Sequence, residues 1–267
     1  MSGLAIISGG SSGIGLACAR RLLSWGYSVL LIARGADGLK NARESLARSA
    51  QSDRIYCCQL DVSDQAKTQK TIAEVISAHG APAWVVTSAG IAVPGEFLEG
   101  AGDSFRDHMA INYFGTLNLL RAAVPAMVRN GGGRLVLISS SVALSGVYGY
   151  AAYAPSKFAV RGLGEVLSVE LAQHNISVTV GFPPDTDTPQ LAAEMPLRPE
   201  VTRLTAKGAP TVSADSVARA VLSAAKKGKF FAGPTLPIRL LAWAQGFYGA
   251  RLRHKQKSLA RKSISGR

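Results

Sequence analysis

The segment Ser8-Gly9-Gly10-Ser11-Ser12-Gly13-Ile14-Gly15 constrains the fold of this chain more than any other. It follows a short apolar run, Leu4 to Ser8, and opens a helical stretch from about Gly13 to Trp25, so it reads as a glycine-rich turn between a strand and a helix. Glycines in that turn permit a sharp reversal and the close approach of a dinucleotide's pyrophosphate, while the helix offers oriented backbone N–H groups. Gly9, Ser11, Ser12, Gly13, Ile14 and Gly15 are therefore candidate cofactor contacts. The terminal Gly-Lys-Ser/Thr of a phosphate-loop hydrolase is missing. Taken alone, the motif has a structural turn as its ordinary alternative.

The pattern then repeats. Apolar runs at Val29 to Ala33, Ile55 to Gln59, Trp84 to Thr87, Leu135 to Ile138 and Ser177 to Gly181 predict strands. Helical segments are predicted between them: a polar one after Ala33, one around Gln65 to Ala78, a long one from about Asp103 to Arg129 broken or bounded near Pro125, and one over Tyr153 to Ala172. Buried-strand runs alternating with helices predict an α/β fold, a doubly wound parallel sheet flanked by helices. A proline-rich loop at Phe182 to Pro189 leads to a substrate cap around residues 190–210, followed by a helix at Asp215 to Ala225. The 267 residues suffice for one catalytic domain over residues 1–233, with residues 234–267 as an apolar and basic extension.

The formal charge of +13 is unevenly placed. Residues 216–267 hold twelve Lys or Arg and no acid, whereas residues 1–215 are nearly balanced, with eighteen basic and seventeen acidic side chains. A basic end beside an apolar stretch fits an anionic membrane surface, and no nucleic-acid partner is expected. Cys18, Cys57 and Cys58 have neither metal-ligand spacing nor the pattern of a disulfide framework, so no metal is expected and a reducing cytoplasm is the simplest compartment. No secretory leader is read before the first strand.

Arg34 lies just past the second predicted strand, where the adenine ribose approaches in such folds. A guanidinium there pairs with the ribose phosphate of NADPH/NADP+, whereas an acid favours NAD(H); an isolated, solvated Arg is the ordinary alternative. Tyr153 and Lys157 stand one helical turn apart, and Ser140 precedes Tyr153 by thirteen residues. Free tyrosine, with a pKa of roughly 10, needs electrostatic help to exchange a proton near neutrality, and Lys157 on the same helix face can supply it while holding a ribose. Ser140 can orient a carbonyl oxygen. Read singly, the pair is an ordinary i,i+4 neighbour and Ser140 a turn cap.

Together these residues resemble the short-chain dehydrogenase/reductase family over residues 4–232. Ser8 replaces the family's Thr in Thr-Gly-xxx-Gly-x-Gly, and Tyr153-Ala154-Pro155-Ser156-Lys157 matches Tyr-xxx-Lys. The resemblance implies a Rossmann-like fold, an NADP-dependent carbonyl reductase, and Tyr153, Lys157 and Ser140 as its reaction centre. It gives Asn112, in Asn112-Tyr113-Phe114-Gly115, a part in a water-linked proton relay. It adds Asp61 and Val62 beside the adenine, although Asp61 also fits as a helix cap, and it adds Ala89, Gly90 and Pro183 to the cofactor contacts. The family's Asn-Ala-Gly is Ser88-Ala89-Gly90 here, which removes the usual amide at Ser88. Homodimers or homotetramers are common in the family. A dinucleotide-binding regulatory protein is the non-enzymatic alternative.

A narrower resemblance points to substrate. Phe182-Pro183-Pro184-Asp185-Thr186-Asp187-Thr188-Pro189 resembles the Pro-Pro-Asp-Thr-Asp-Thr-Pro segment of 3-ketodihydrosphingosine reductases, where Pro-Gly is the commoner family pattern. The implied partner is a long-chain keto-sphingoid base or a related lipid or small-molecule ketone, with Asp185, Thr186, Asp187 and Thr188 available for local capping or for polar substrate contacts. Residues 240–250 are apolar and aromatic and precede Arg251, Arg253, Lys255, Lys257, Arg261 and Lys262. That run is shorter than the ~20 residues of a spanning helix, so peripheral attachment to a cytoplasm-facing membrane is the expectation. Packing of the aromatics on the domain or on a subunit partner is the alternative.

Overall fold

A computed structural model describes residues 3–48, 50, 52–99 and 102–243, with residues 251, 255 and 258. Seven parallel strands form the main sheet: β1 (Leu4–Ser8), β2 (Ser28–Ala33), β3 (Ile55–Gln59), β4 (Pro82–Thr87), β5 (Gly133–Ile138), β6 (Ile176–Gly181) and, after two short cap strands, β9 (Phe231–Ala232). Their order is β3-β2-β1-β4-β5-β6-β9, so the direction of winding reverses between β1 and β4. A crevice opens at such a reversal, outside the carboxyl ends of the strands.

Alternation along the strands explains why both faces are covered. Leu4 and Ile6 of β1 enter one apolar cluster, while Ala5 and Ile7 enter the other. The first cluster takes Ile72 from α3 (Gln65–His79), Leu119 and Met127 from α5 (Gly115–Arg129), and Val160 from α6 (Tyr153–Glu170). The second takes Leu22 from α1 (Gly13–Ser24), Leu39 and Leu46 from α2 (Ala36–Ala47), and Val217 and Val221 from α9 (Ala214–Lys226). Each fully buried large aliphatic side chain contributes about 1.5–3 kcal/mol, so the sheet is held from both sides.

The helical stretch ending at Arg129 differs from the sequence expectation. Pro125 neither breaks nor bounds it, because Pro125 and Arg121 are both exposed and water can serve the carbonyl that the missing N–H leaves free. The irregularity lies earlier: α4 (Gly102–His108) passes through a π-helical segment at Met109–Phe114 before α5 begins. Such segments mark places where a side chain is re-aimed, and this one carries Asn112.

The region after Gly181 holds elements too short to read from periodicity. Strands β7 (Thr186–Asp187) and β8 (Val212–Ser213) pair in a two-stranded sheet, and α7 (Pro189–Glu194) and α8 (Glu200–Ala206) lie between them. After β9, α10 (Leu236–Trp243) returns to the body of the molecule, where Ile238 is buried in the first cluster and Leu241 packs against it. No helix among the described residues is long and apolar enough to cross a membrane. The segment 244–250 and the basic positions 253, 257, 261 and 262 lie outside the described residues.

Candidate active site

At the end of β1 the chain turns through Gly9 with φ +66°, and a Cβ there would stand 2.6 Å from the Ser88 carbonyl. Gly15 is more tightly confined, since its Cβ would lie 2.2 Å from the Gly9 oxygen. These positions demand glycine because loop, helix and neighbouring strand meet without room for a side chain. The first turn of α1 has no acidic residue, and its N-cap, Ser12, makes no side-chain capping bond. Ser12, Gly13 and Ile14 at this N-terminus line the crevice, where the positive end of the helix dipole favours an anion. The loop's other support comes from Ser8, whose Oγ accepts from the backbone N–H of Ser88 at 3.2 Å and of Ala89 at 3.3 Å.

A cavity of about 710 Å³ fills the crevice. Gly9, Ser11, Ser12, Gly13 and Ile14 line it on one side. Arg34, Asp61 and Val62 line it as well, as do Ala89, Gly90 and Pro183, together with Ser140, Tyr153 and Lys157. Two expected site residues do not line it. Gly15 lies beneath the loop, and Asn112 is fully buried behind the wall.

Asp61 is not the cap of the following helix. Asp64 fills that role, accepting from Lys67 N at 2.9 Å, while Asp61 closes a turn onto the N–H and hydroxyl of Ser63. Burial works against the Asp61 carboxylate, but the two Ser63 bonds and the nearby Arg34 charge outweigh it and hold the pKa below its ordinary value. Arg34 itself is exposed, its guanidinium free to meet an anion at the mouth of the cavity.

Around Tyr153, burial raises the hydroxyl above the ordinary tyrosine range and its hydrogen bond with Ser140 opposes that rise. Lys157 is nearly fully buried; its Nζ donates to the Ile138 carbonyl at 3.1 Å and lies 5.8 Å from the Tyr153 ring centroid. Desolvation brings its pKa down to about 8. Asn112 makes a reciprocal pair with the backbone of Ile91, accepting at 2.8 Å and donating at 3.0 Å, and also donates to Ser156 Oγ at 2.9 Å. Its side chain thus ties the Gly90 loop to the catalytic helix. What this arrangement can do chemically is hold a carbonyl oxygen between two hydroxyls, one of them a proton donor, beside a groove shaped for a dinucleotide.

Residues 3–196 match the short chain dehydrogenase family. The chain belongs to that family. The chain is 36% identical to 3-ketodihydrosphingosine reductase of Dictyostelium discoideum over 255 residues, which is 89% of this chain and 76% of that protein. The enzyme of the same name from Mus musculus is 36% identical over 228 residues, 84% of this chain and 69% of its relative. Among solved structures, ElxO with NADP bound superposes with a TM-score of 0.77 at 25% identity, covering 88% of this chain and 98% of that one. A short-chain dehydrogenase from Streptomyces avermitilis gives a TM-score of 0.81 at 24% identity over 98% and 99% of the two chains, and shows the same fold.

Several residues that complete this short-chain dehydrogenase site carry no motif signal. Ser139 donates to the Lys157 carbonyl at 2.8 Å, and Asn118 holds the Val62 carbonyl at 3.0 Å. His108 is buried, accepts from Val93 N at 3.1 Å and donates from Nδ1 to the Ser104 carbonyl, so it is a satisfied neutral histidine with its ring 6.0 Å from that of Tyr153. Burial keeps its pKa below the ordinary histidine value. In the loop after β6, Thr186 bonds back to Pro184 and Thr188 caps α7, whereas Asp187 is exposed. Asp185 is taken by Arg198, which also grips Glu194; only the i,i+4 spacing of Glu194 and Arg198 could have suggested that pair from sequence.

Proposed function

We propose that this protein reduces the 3-keto group of 3-ketodihydrosphingosine to dihydrosphingosine with NADPH. The observation that carries the reading is the convergence of Ser140, Tyr153 and Lys157 on one cavity continuous with the glycine loop. Relatives named for this reaction, with more than a third of positions identical, support the substrate.

The fit to the cofactor rests on this chain's own residues. The space a Cβ would fill at Gly9 is closed by Ser88, so only a glycine turn leaves the loop backbone free to meet a pyrophosphate. Arg34 is placed for the ribose phosphate that distinguishes NADPH, and Lys157 for the nicotinamide ribose. When bound, NADPH supplies the hydride. Ser140 orients the carbonyl oxygen and Tyr153 gives it a proton, so that carbonyl carbon and oxygen gain one hydrogen each and a secondary alcohol results. The ammonium of Lys157 stabilises the tyrosinate left behind. Asn112 acts through Ile91 and Ser156 as a positioning residue at the near end of a proton path.

The remaining walls suit an alkyl chain. Val142, Val147, Leu191, Ile238 and Leu241 line the cavity, so α10 forms part of it. Leu236 and Leu240 of α10 and Met195, Leu197 and Leu204 of the cap are exposed. These exposed apolar side chains, with the basic C-terminal sequence, support a catalytic unit that extends past residue 233 to include α10 and rests on an anionic, cytoplasm-facing membrane through its C-terminal extension. Exposed Val166 and Val169 on α6 support self-association as a homodimer or homotetramer. The functional test is product identification: the reading requires conversion of 3-ketodihydrosphingosine to dihydrosphingosine with stoichiometric NADPH consumption.

A further inference from the structure

The cap carries a charged network that the proton-transfer chemistry does not use. Arg198 forks onto both oxygens of Asp185, at 2.6 and 2.7 Å, and binds Glu194 through Nε at 2.9 Å and through Nη2. The Tyr150 hydroxyl also donates to Glu194. Glu194 and Arg198 are each 6% exposed and Tyr150 is 4% exposed, yet all of them line the cavity together with Asp185. The Tyr150 ring lies 5.8 Å from that of Tyr153, which puts the network next to the proposed proton donor.

Two features of the network point to a ligand. Two carboxylates and one guanidinium leave a formal charge of −1, with Glu194 and Arg198 buried and Asp185 partly exposed at the cavity, where a cation would restore balance. Moreover, every donor converges on Oε1 of Glu194, while Oε2 accepts no hydrogen bond from the described residues. Lys157 does not balance the charge locally, since its Nζ is turned to the Ile138 carbonyl. A carboxylate held rigidly by three donors, with one oxygen left over in a substrate cavity, is arranged to receive a cation.

We infer that Glu194, held by Tyr150 and by an Arg198 that Asp185 anchors, determines specificity by pairing with an ammonium group on the carbon next to the reacting ketone. The inference rests on the sphingoid-base reading above, whose substrate carries an amine at that carbon. Binding of the cation brings the network to neutrality and fixes the ketone's orientation from its polar end. The alkyl chain then runs along the apolar wall.

The test compares kcat/KM of the purified full-length protein, with saturating NADPH, for 3-ketodihydrosphingosine and for the same ketone lacking the 2-amino group. Wild type is expected to prefer the amine by roughly 30-fold or more, the scale of a desolvated charge pair. Glu194→Gln keeps an acceptor for Tyr150 and Arg198 but removes the charge, and is expected to bring that preference to within about threefold. The loss for the amine should appear mainly in KM. Equal proportional losses on both ketones, or an unchanged preference, would overturn the inference by leaving Glu194 a purely structural clamp. The wild-type comparison needs no variant: equal turnover of the amine and its N-acetyl derivative, in which the cation is gone, overturns it as well. Reduction of 3-ketodihydrosphingosine without preference defeats this inference alone, whereas failure of wild type to reduce that ketone defeats the functional reading with it.

Discussion

Lys157 Nζ donates to the carbonyl of Ile138 at 3.1 Å, joining the catalytic helix to the end of β5, one residue before the Ser139-Ser140 pair. The bond sets the lysine beneath Tyr153 and removes it from water. With its pKa brought down to about 8 against an ordinary 10.5, the unfolded chain binds more protons than the folded one between those values. This lysine therefore opposes folding below pH 8, and its penalty is relieved as pH rises from about 8 toward 10.5. Chemical denaturation of the cofactor-free protein across that window should show such a rise in wild type and a flatter profile in Lys157→Met; a rise of equal size in both would contradict the assignment.

The direction of catalysis carries its own pH signature. Burial pushes the Tyr153 hydroxyl up, which favours the phenol that reduction needs. Reductive turnover should fall, and alcohol oxidation rise, as pH increases through the apparent pKa of the Tyr153–Lys157 pair. In Lys157→Met the oxidative limb should move to higher pH. Full pH–rate profiles in both directions test this, and an oxidative limb unmoved by the substitution would count against electrostatic coupling of the two side chains.

Arg34 is exposed where it lines the cavity, so its removal should spare the fold. Loss of a charge-assisted phosphate contact is worth about 1.5–3 kcal/mol, which is roughly tenfold or more in affinity. Arg34→Ala should raise the Kd for NADPH by that factor and change NADH binding by less than about twofold. Equal losses for the two cofactors in equilibrium titrations would exclude Arg34 as the discriminator.

Gly15→Ala places a Cβ 2.2 Å from the Gly9 oxygen, a contact that neither the loop nor α1 can absorb without moving. Overpacking of this kind costs roughly 1–3 kcal/mol. The melting temperature should fall by about 3–10 °C and NADPH affinity should drop with it. A melting temperature and affinity equal to wild type would show that the loop yields more readily than its packing indicates.

Membrane attachment is testable by flotation. Full-length protein should float with anionic vesicles, less so in high salt, and truncation after Gly233 should abolish flotation. Because Ile238 is buried in the core and Leu241 lines the cavity, this truncation will also disturb the body; Leu236→Ser with Leu240→Ser, both exposed, is the cleaner variant and should reduce flotation while leaving the melting temperature close to wild type. Undiminished flotation of that variant would contradict a role for α10.

The strands and the chemistry-bearing residues were legible in sequence for a physical reason. Parallel strands buried on both faces give continuous apolar runs, and a pyrophosphate turn tolerates few residues besides glycine, so β1, α1 and the loop between them leave a local signature. The Tyr153 and Lys157 pair is local too, since it lies within one helical turn. What stayed hidden depends on long-range meetings or on very short elements. The bond from Ser8 to the Ser88 turn spans eighty positions, β9 contributes two residues, and the Glu194 clamp needs Tyr150 from before α6 and Asp185 from the loop after β6. The expected break at Pro125 does not form because the buried face of α5, with Leu119, Ala123 and Met127 in the core, holds the helix against the local cost of the proline.

The central claim is most directly tested by NADPH oxidation with 3-ketodihydrosphingosine and identification of the product for wild type and Tyr153→Phe. Phenylalanine keeps the ring and removes only the proton donor, so the variant should bind NADPH with near wild-type affinity and lose about 10²–10⁴-fold in turnover. Dihydrosphingosine formed by wild type in step with NADPH consumption, and nearly lost in the variant, is the predicted result. No dihydrosphingosine from the folded wild type, or undiminished turnover by Tyr153→Phe, would contradict it.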